Sequence, residues 1–431
     1  MSRPEEATTI PAQIVKWLVQ KHFGITEETI RCLSSHPDFL TIVQTPPSAR
    51  DAICVAGAER LGFRPVLEAY ESFYKVLKSI DDELPLAILH VTPASELLRY
   101  SSIFVPHPID LDRFGTAPDC LKWVPHAEIV MQFESSPRWP DDLAAIQKVK
   151  LALMEKVGRV VSSRMSRSKV AVVFDKDATE IEDGASLEVL LTHGIALRVR
   201  IWHERERTLL ERIVEDDSPG LSLGSALPKP PRRLVIPALK THIHRFLHSP
   251  QHHSAIAPLH HRFPSYSAAT RLLKRWFSSH LLSNHVSAEA IELLMASVYL
   301  DPGSRHIPSS ASNGFIRAVE SLASWDWKGA PVLVPVFSAS REATSGRTTF
   351  PDEARAEAID KFEKMRHSDK EITRTAWVIV TERDLDGAVW TSGGPSKVVA
   401  GRINVLARAT IEALKSSVEE NLDIKVSCFA S

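Results

Sequence analysis

The chain has 431 residues, with 52 Lys plus Arg against 53 Asp plus Glu, for a formal net charge of −1. That balance, with 44% hydrophobic and 24% charged residues, excludes a histone-like basic chain, an acidic solvating chain and a low-complexity chain. At roughly 100–200 residues per domain the length implies two to four domains, and with only 17 glycines against 28 prolines the backbone has few places to cradle a phosphate.

In chain order, Ile14, Trp17 and Leu18, closing at Lys21-His22, read as an amphipathic helix, and Thr26 with Glu28 starts a second. Residues 66–80 form a third, with Leu67, Tyr70, Phe73, Tyr74 and Leu77 on one face. Residues 84–91 and 127–133 are continuous apolar runs, the pattern of buried strands. The segment from Ser135 to Asp142 reads as a helix start, because proline fits a first turn and Asp141 and Asp142 face the positive end of the dipole. That helix carries Leu143, Ile146, Val149, Leu153, Val157 and Val160 at helical spacing, and the polar break at 162–168 reads as a domain seam. Residues 169–174, 187–191 and 195–202 are strands, the last two joined through Thr192-His193-Gly194. Residues 204–214 form a charged helix, 216–237 a proline- and glycine-rich loop, and the helical pattern resumes at Ala238. Residues 266–282 are a strong helix. Ser287 caps another over 288–300, apolar almost all round and therefore internal. Residues 332–337 read as a strand, 355–365 as a helix, 376–381 with 388–391 as a hairpin closed at Asp386-Gly387, and 395–414 as a long helix. The four cysteines, Cys32, Cys54, Cys120 and Cys428, form no C-x-x-C and read as reduced thiols of an intracellular protein. No apolar run reaches the ~18 residues of a membrane span.

The neutral sum hides an uneven distribution. Residues 218–288 contain no carboxylate, nine basic residues and nine of the 18 histidines, so this block is +9 and the rest of the chain −10. A field of that kind attracts a polyanion even when the whole chain is neutral. The expected RNA-binding residues are Arg232, Arg233, Lys240, Arg245, Arg271, Lys274 and Arg275. Lys274-Arg275-Trp276 adds an aromatic side chain to the charge on one helix.

Two Asp-x-Asp pairs, Asp110/Asp112 and Asp384/Asp386, have the spacing that lets neighbouring strand carboxylates share a divalent metal. Both sit among turn residues, and turn roles explain them. His242, His244, His248, His252, His253, His260 and His261 form a histidine-rich stretch with no cysteine or acid nearby to complete a zinc site. No G-x-S-x-G, G-x-x-x-x-G-K-[ST] or G-x-G-x-x-G occurs. Thr391-Ser392-Gly393-Gly394-Pro395 precedes a helix and reads as a plain strand-to-helix loop. No catalytic residue, metal or cofactor is assigned.

Several phrases carry a resemblance. They are Leu84-Pro85-Leu86 with Leu98-Arg99-Tyr100-Ser101-Ser102, then Gln132-Phe133-Glu134-Ser135-Ser136 with Arg138-Trp139-Pro140-Asp141-Asp142. Leu187 to Gly194 with Leu197 to His203, Lys274-Arg275-Trp276 with Glu292-Leu293-Leu294, and Trp325-Asp326-Trp327 follow. Together they resemble the Nrap family, nucleolar RNA-associated proteins of the small-subunit processome bound with U3 small nucleolar RNA, and cover only its second half. The resemblance implies a degenerate nucleotidyltransferase-like α/β domain, then a poly(A)-polymerase/oligoadenylate-synthetase-like helical domain, then a C-terminal α/β domain. The expected boundaries are a helical lead-in at 1–65, then 66–164, 165–322 and 323–431. It implies a non-catalytic RNA- and protein-binding scaffold in 18S pre-rRNA processing and 40S assembly, in the nucleus and nucleolus. The implied partners are pre-rRNA and the U3-containing processome, including a ribosomal RNA processing protein and casein kinase two. Where an active relative carries a Gly-Ser turn, this chain has Pro93-Ala94-Ser95. The rival reading is an active template-independent nucleotidyltransferase using Asp110 and Asp112.

Overall fold

The computed structural model describes residues 17–18, 20–22, 24, 52–55, 62–117, 124–165, 167–192, 194–215, 230–339 and 349–419. In the expected lead-in, Trp17, Leu18 and Lys21-His22 are helical, whereas Ile14, Thr26 and Glu28 lie outside the described residues.

Helix α1 (Arg64–Ser79) starts with proline in its first turn and buries Val66, Ala69, Phe73 and Leu77, one stripe at helical spacing. It lies along strand β1 (Ile88–Pro93), where Tyr70 Oη donates to the Val91 carbonyl at 3.2 Å and Lys78 Nζ to the Ile88 carbonyl at 3.0 Å. Short helix α2 (Leu111–Thr116) precedes β2 (His126–Phe133). Asp142, the last residue of the expected helix-start signal, caps α3 (Leu143–Arg164) by accepting from the Ala145 amide at 2.8 Å. Strands β3 (Lys169–Phe174), β4 (Ala185–Leu190) and β5 (Ala196–Trp202) complete a five-stranded sheet of order β1-β2-β5-β4-β3. Gly194, at φ 69°, turns β4 into β5, and a Cβ there would fall 2.5 Å from Ile109.

The sheet crosses the expected boundary between residues 164 and 165. Strand β2 pairs in parallel with β5 along its length, from His126 opposite Ala196 to Gln132 opposite Trp202. Parallel neighbours require a crossover. Here α3, β3 and β4 make it, so the polar break lies inside one sheet unit, between the end of α3 and the start of β3, rather than at a seam. Its backbone is closed by Met165 N to Val161 O at 2.8 Å and Ser168 N to Met165 O at 3.2 Å.

After α4 (Glu204–Glu215), α5 (Arg232–Ile243) runs through a π-helical turn (His244–His248) into α6 (Ser249–Arg262). The expected loop ends earlier than the sequence suggests: Pro237 lies inside α5 and does not stop it. Pro237 is exposed, so its ring does not enter the core. Helix α7 (Tyr266–Ser279) and helix α8 (Ala288–Leu300), capped by Ser287, follow as expected. Helix α9 (Ala311–Ser324), capped by Ser310, adds to the elements the sequence pattern predicts.

The C-terminal segment departs from the sequence reading. Strand β6 is only Val332–Val334, and a single helical turn begins at Val336. Strand β7 (Ile379–Thr381) pairs with β6 in parallel, across the crossover helix α10 (Asp352–Ser368), so no hairpin closes at Asp386-Gly387. Residues 388–391 are a turn gathered by Asp384, which accepts from Val389 N at 2.8 Å and Ala388 N at 3.3 Å. Final helix α11 (Lys397–Glu419) packs on α9. One core joins α6–α9 to Val334, Trp377, Ile379 and the buried face of α11. It therefore runs across the expected boundary at 322/323. A second core lies between the five-stranded sheet and α1 and α3.

Candidate functional site

The turn after β1 is where the two halves meet. The Ala94 amide donates to the Glu128 carbonyl of β2 at 3.0 Å, and Ser95 Oγ accepts from Leu97 N at 3.2 Å to start a 3-10 turn over Glu96–Arg99. On the neighbouring strands Glu128, Arg198 and Glu188 stand in one cross-strand row. Arg198 Nη2 is 2.6 Å from Glu188 and Nη1 is 3.8 Å from Glu128. A guanidinium thus sits between the two carboxylates, neutralising the charge a divalent cation would need. Asp110 and Asp112 do not supply a replacement pair. Asp110 caps α2, accepting from the Asp112 and Arg113 amides, and Asp112 sits in that helix's first turn, so neither lies on a strand. Asp386 is paired with Lys361 at 3.2 Å.

Four of the seven cations expected to bind RNA are tied inside the fold. Lys274, on α7, is 3% exposed, with Nζ 2.6 Å from Glu96 and 2.6 Å from Glu292 of α8. Glu292 also accepts from Arg99 Nε at 2.8 Å, Ser101 Oγ at 2.6 Å and His252 Nε2 at 2.7 Å. Burial alone would raise the Glu292 carboxyl, but Arg99 and Lys274 hold it well below the usual carboxylate range. His252 is lowered by burial, against the opposing pull of the Glu292 carboxylate that its Nε2 contacts. This hub ties β1's turn to α6, α7 and α8. Arg271 reinforces it, donating to the Ser102 and Ile103 carbonyls at 3.0 and 3.1 Å, with burial lowering its guanidinium to about 10. Arg275 lies over the Phe104 ring at 5.6 Å.

Arg245 belongs to a second hub. Its Nη1 donates to the Asp183 carbonyl at 2.6 Å and carboxylate at 3.0 Å. Asp183 also receives Lys150 at 2.9 Å and Arg200 at 3.5 Å, and Lys150 reaches Glu206 at 2.5 Å. Burial raises Glu206, yet Lys150 and His242 bring it to about 2. The remaining three candidates, Arg232, Arg233 and Lys240, are exposed along α5.

The histidines do not converge. His242 lies 3.5 Å from Glu206, His260 stacks on Tyr100 at 3.9 Å, and His244, His248 and His252 surround Trp390 at 5.0, 6.3 and 4.9 Å. Burial lowers His248 and His253 to about 4. Among the described residues no group of three His, Cys, Asp or Glu side chains is placed to hold a metal, and no helix is long and apolar enough to cross a membrane. Thr391, in the loop before α11, is buried and donates to the Gly387 carbonyl at 2.7 Å.

Glu292, Arg99, Arg198 and Asp183 organise these contacts without being among the site residues the sequence predicts. One signal existed: Glu292 is an acid in the middle of a helix that is apolar almost all round, and a charge so placed needs a buried partner.

The sheet with its flanking helices is a mixed α/β unit of the nucleotidyltransferase type, and it is joined to a largely helical half. Two family models match: the "Nrap protein nucleotidyltransferase domain 4" over residues 50–261 and the "Nrap protein PAP/OAS1-like domain 5" over residues 263–430. The chain belongs to the Nrap family. It is 31% identical over 430 residues to "U3 small nucleolar RNA-associated protein 22" of Schizosaccharomyces pombe, covering 98% of this chain and 36% of that protein. It is 24% identical to the Saccharomyces cerevisiae protein of the same name, covering 94% of this chain and 32% of that one. The chain thus spans about a third of the length of the curated relatives it matches. Among solved structures, mtPAP in complex with GTP aligns with a TM-score of 0.41 at 8% identity, over 93% of this chain and 77% of that one.

Proposed function

We propose that the chain is a non-catalytic binding scaffold in small-subunit ribosome biogenesis, acting in the nucleolus with pre-rRNA and the U3-containing processome. The observation that carries this reading is the match to U3 small nucleolar RNA-associated protein 22 across 98% of the chain. The Glu128–Arg198–Glu188 row supports it, because a sheet that neutralises its own facing carboxylates is suited to being a shape rather than a metal-dependent catalyst. The finer layout is a pseudo-nucleotidyltransferase sheet unit locked through Glu292 to a poly(A)-polymerase-like half. A ribosomal RNA processing protein and casein kinase two are the partners this reading names. Co-sedimentation of the chain with pre-ribosomal particles is the expected result, and a chain that stays at the top of the gradient defeats the proposal. Incubation with ATP, Mg²⁺ and an RNA primer should give no extension. Extension lost on Asp110→Ala would instead establish the catalytic rival.

A further inference from the structure

We infer that the outward face of α5 is a docking surface for an acidic, apolar-studded segment of a partner protein. The inward side of this helix is settled: Val235, Ala238 and His242 are buried, and Val235 and Ala238 share a core with Leu143 and Leu210. The opposite side is exposed at Arg233, Pro237 and Lys240, which follow one another at helical spacing and form one stripe. Two aliphatic side chains flank that stripe, Leu234 at 37% exposure and Ile236 at 49%. No carboxylate occurs anywhere from residue 218 to 288, so the helix itself supplies nothing to balance these charges.

Charge complementarity calls for an anionic occupant, and the flanking side chains decide its class. A single-stranded RNA would use aromatic platforms for its bases. The sequence of α5 contains no Phe, Tyr or Trp, whereas Leu234 and Ile236 present aliphatic surface that phosphates and sugars do not need. An acidic peptide with interspersed apolar residues satisfies both components: carboxylates over Arg233 and Lys240, and apolar side chains against Leu234 and Ile236. This assignment rests on the scaffold reading above and gives that scaffold a partner-facing element.

The test places a photocrosslinking benzoyl-phenylalanine at position 236 of the full chain, in cells in which the chain's co-sedimentation with pre-ribosomal particles is read in parallel. The same probe at Ile359, an exposed position of α10, is the control. The expected product is a covalent adduct to a protein segment rich in Asp or Glu and carrying apolar residues. Its yield should fall at least about tenfold in the Arg233→Glu/Lys240→Glu chain. It should fall in the Leu234→Ser chain as well. Both variants should melt like the parent, since the changed side chains are exposed. An adduct to RNA, an adduct to a segment without acidic excess, a yield no higher than at position 359, or a yield indifferent to charge reversal each overturns the inference. Loss of particle co-sedimentation with the adduct intact defeats the scaffold reading alone.

Discussion

Lys274 and Lys240 come from the same 71-residue stretch without a carboxylate, and the fold uses them in opposite ways. Lys274 is buried with its ammonium shared between Glu96 and Glu292. Burial would lower its pKa, but Glu292 and Glu96 raise it above its ordinary value, so it stays charged inside the protein. Lys240 stands exposed on α5. The acid-free window is therefore only half a surface field. Carboxylates from outside the window, Glu96, Glu292 and Asp183, fold onto Lys274 and Arg245, and leave α5 as the outward part. Charge density along a chain predicts a surface only where the fold brings no counter-charge from elsewhere.

The hardest test of this contrast is Glu292→Ala. It leaves Arg99 and Lys274, 3% exposed each, without their central partner. Breaking a buried ion cluster by removing one member costs about 3–5 kcal/mol. The expected outcome is a large drop in the urea midpoint, with Glu292→Gln falling by less because its amide oxygen still accepts hydrogen bonds. An unchanged midpoint would mean that the inner cations are not held as described.

Acid should separate the inner groups in order. His253 is lowered to about 4 by burial, so between that value and the ordinary 6.5 the unfolded chain binds the extra proton. Its contribution is complete above pH 6.5 and is lost as pH falls towards 4. Glu292 is depressed, so its contribution is present above the ordinary carboxylate range and is lost only below it, as pH falls through its folded value. Stability should therefore decline first between pH 6.5 and 4, and then again in stronger acid. His253→Gln should remove about 2 kcal/mol of the difference between pH 7 and pH 5, measured by urea unfolding at each pH. A variant as acid-sensitive as the parent would exclude His253 as a source of that slope.

Which parts of this fold were legible follows from the range of the interactions that make them. Strand β3 and helix α8 appear where the sequence places them, because an apolar run and the Ser287 cap are local signals. The supposed seam at 162–168 failed because the pairing that overrides it joins His126 to Ala196, 70 residues apart, and leaves no local trace. The supposed hairpin failed for a related reason. Asp386-Gly387 is a genuine turn, but Ile379 pairs with Val332 instead of with the residues after that turn. At the candidate site, the exposed cations of α5 and the buried ones of α7 have the same composition. What folds onto them separates them: Glu96 and Glu292 on Lys274, the Ser102 and Ile103 carbonyls on Arg271 and the Phe104 ring on Arg275, and that is a tertiary fact.

The smallest expected effect makes the sharpest comparison within one continuous helical segment. Arg245, in the π-helical turn, holds the Asp183 carbonyl and carboxylate, so Arg245→Ala should cost about 1–3 kcal/mol by leaving charge-assisted hydrogen bonds unmade. Lys240, one and a half turns earlier on the exposed face, should tolerate alanine within about 0.5 kcal/mol. The two variants differ by five positions and remove comparable cations, so unfolding them side by side cancels any general effect of lowering the block's charge. Equal destabilisation would place Lys240 in a structural contact and withdraw α5 as an available surface. A cost confined to Arg245 would leave Lys240 free to serve an interaction made outside this chain.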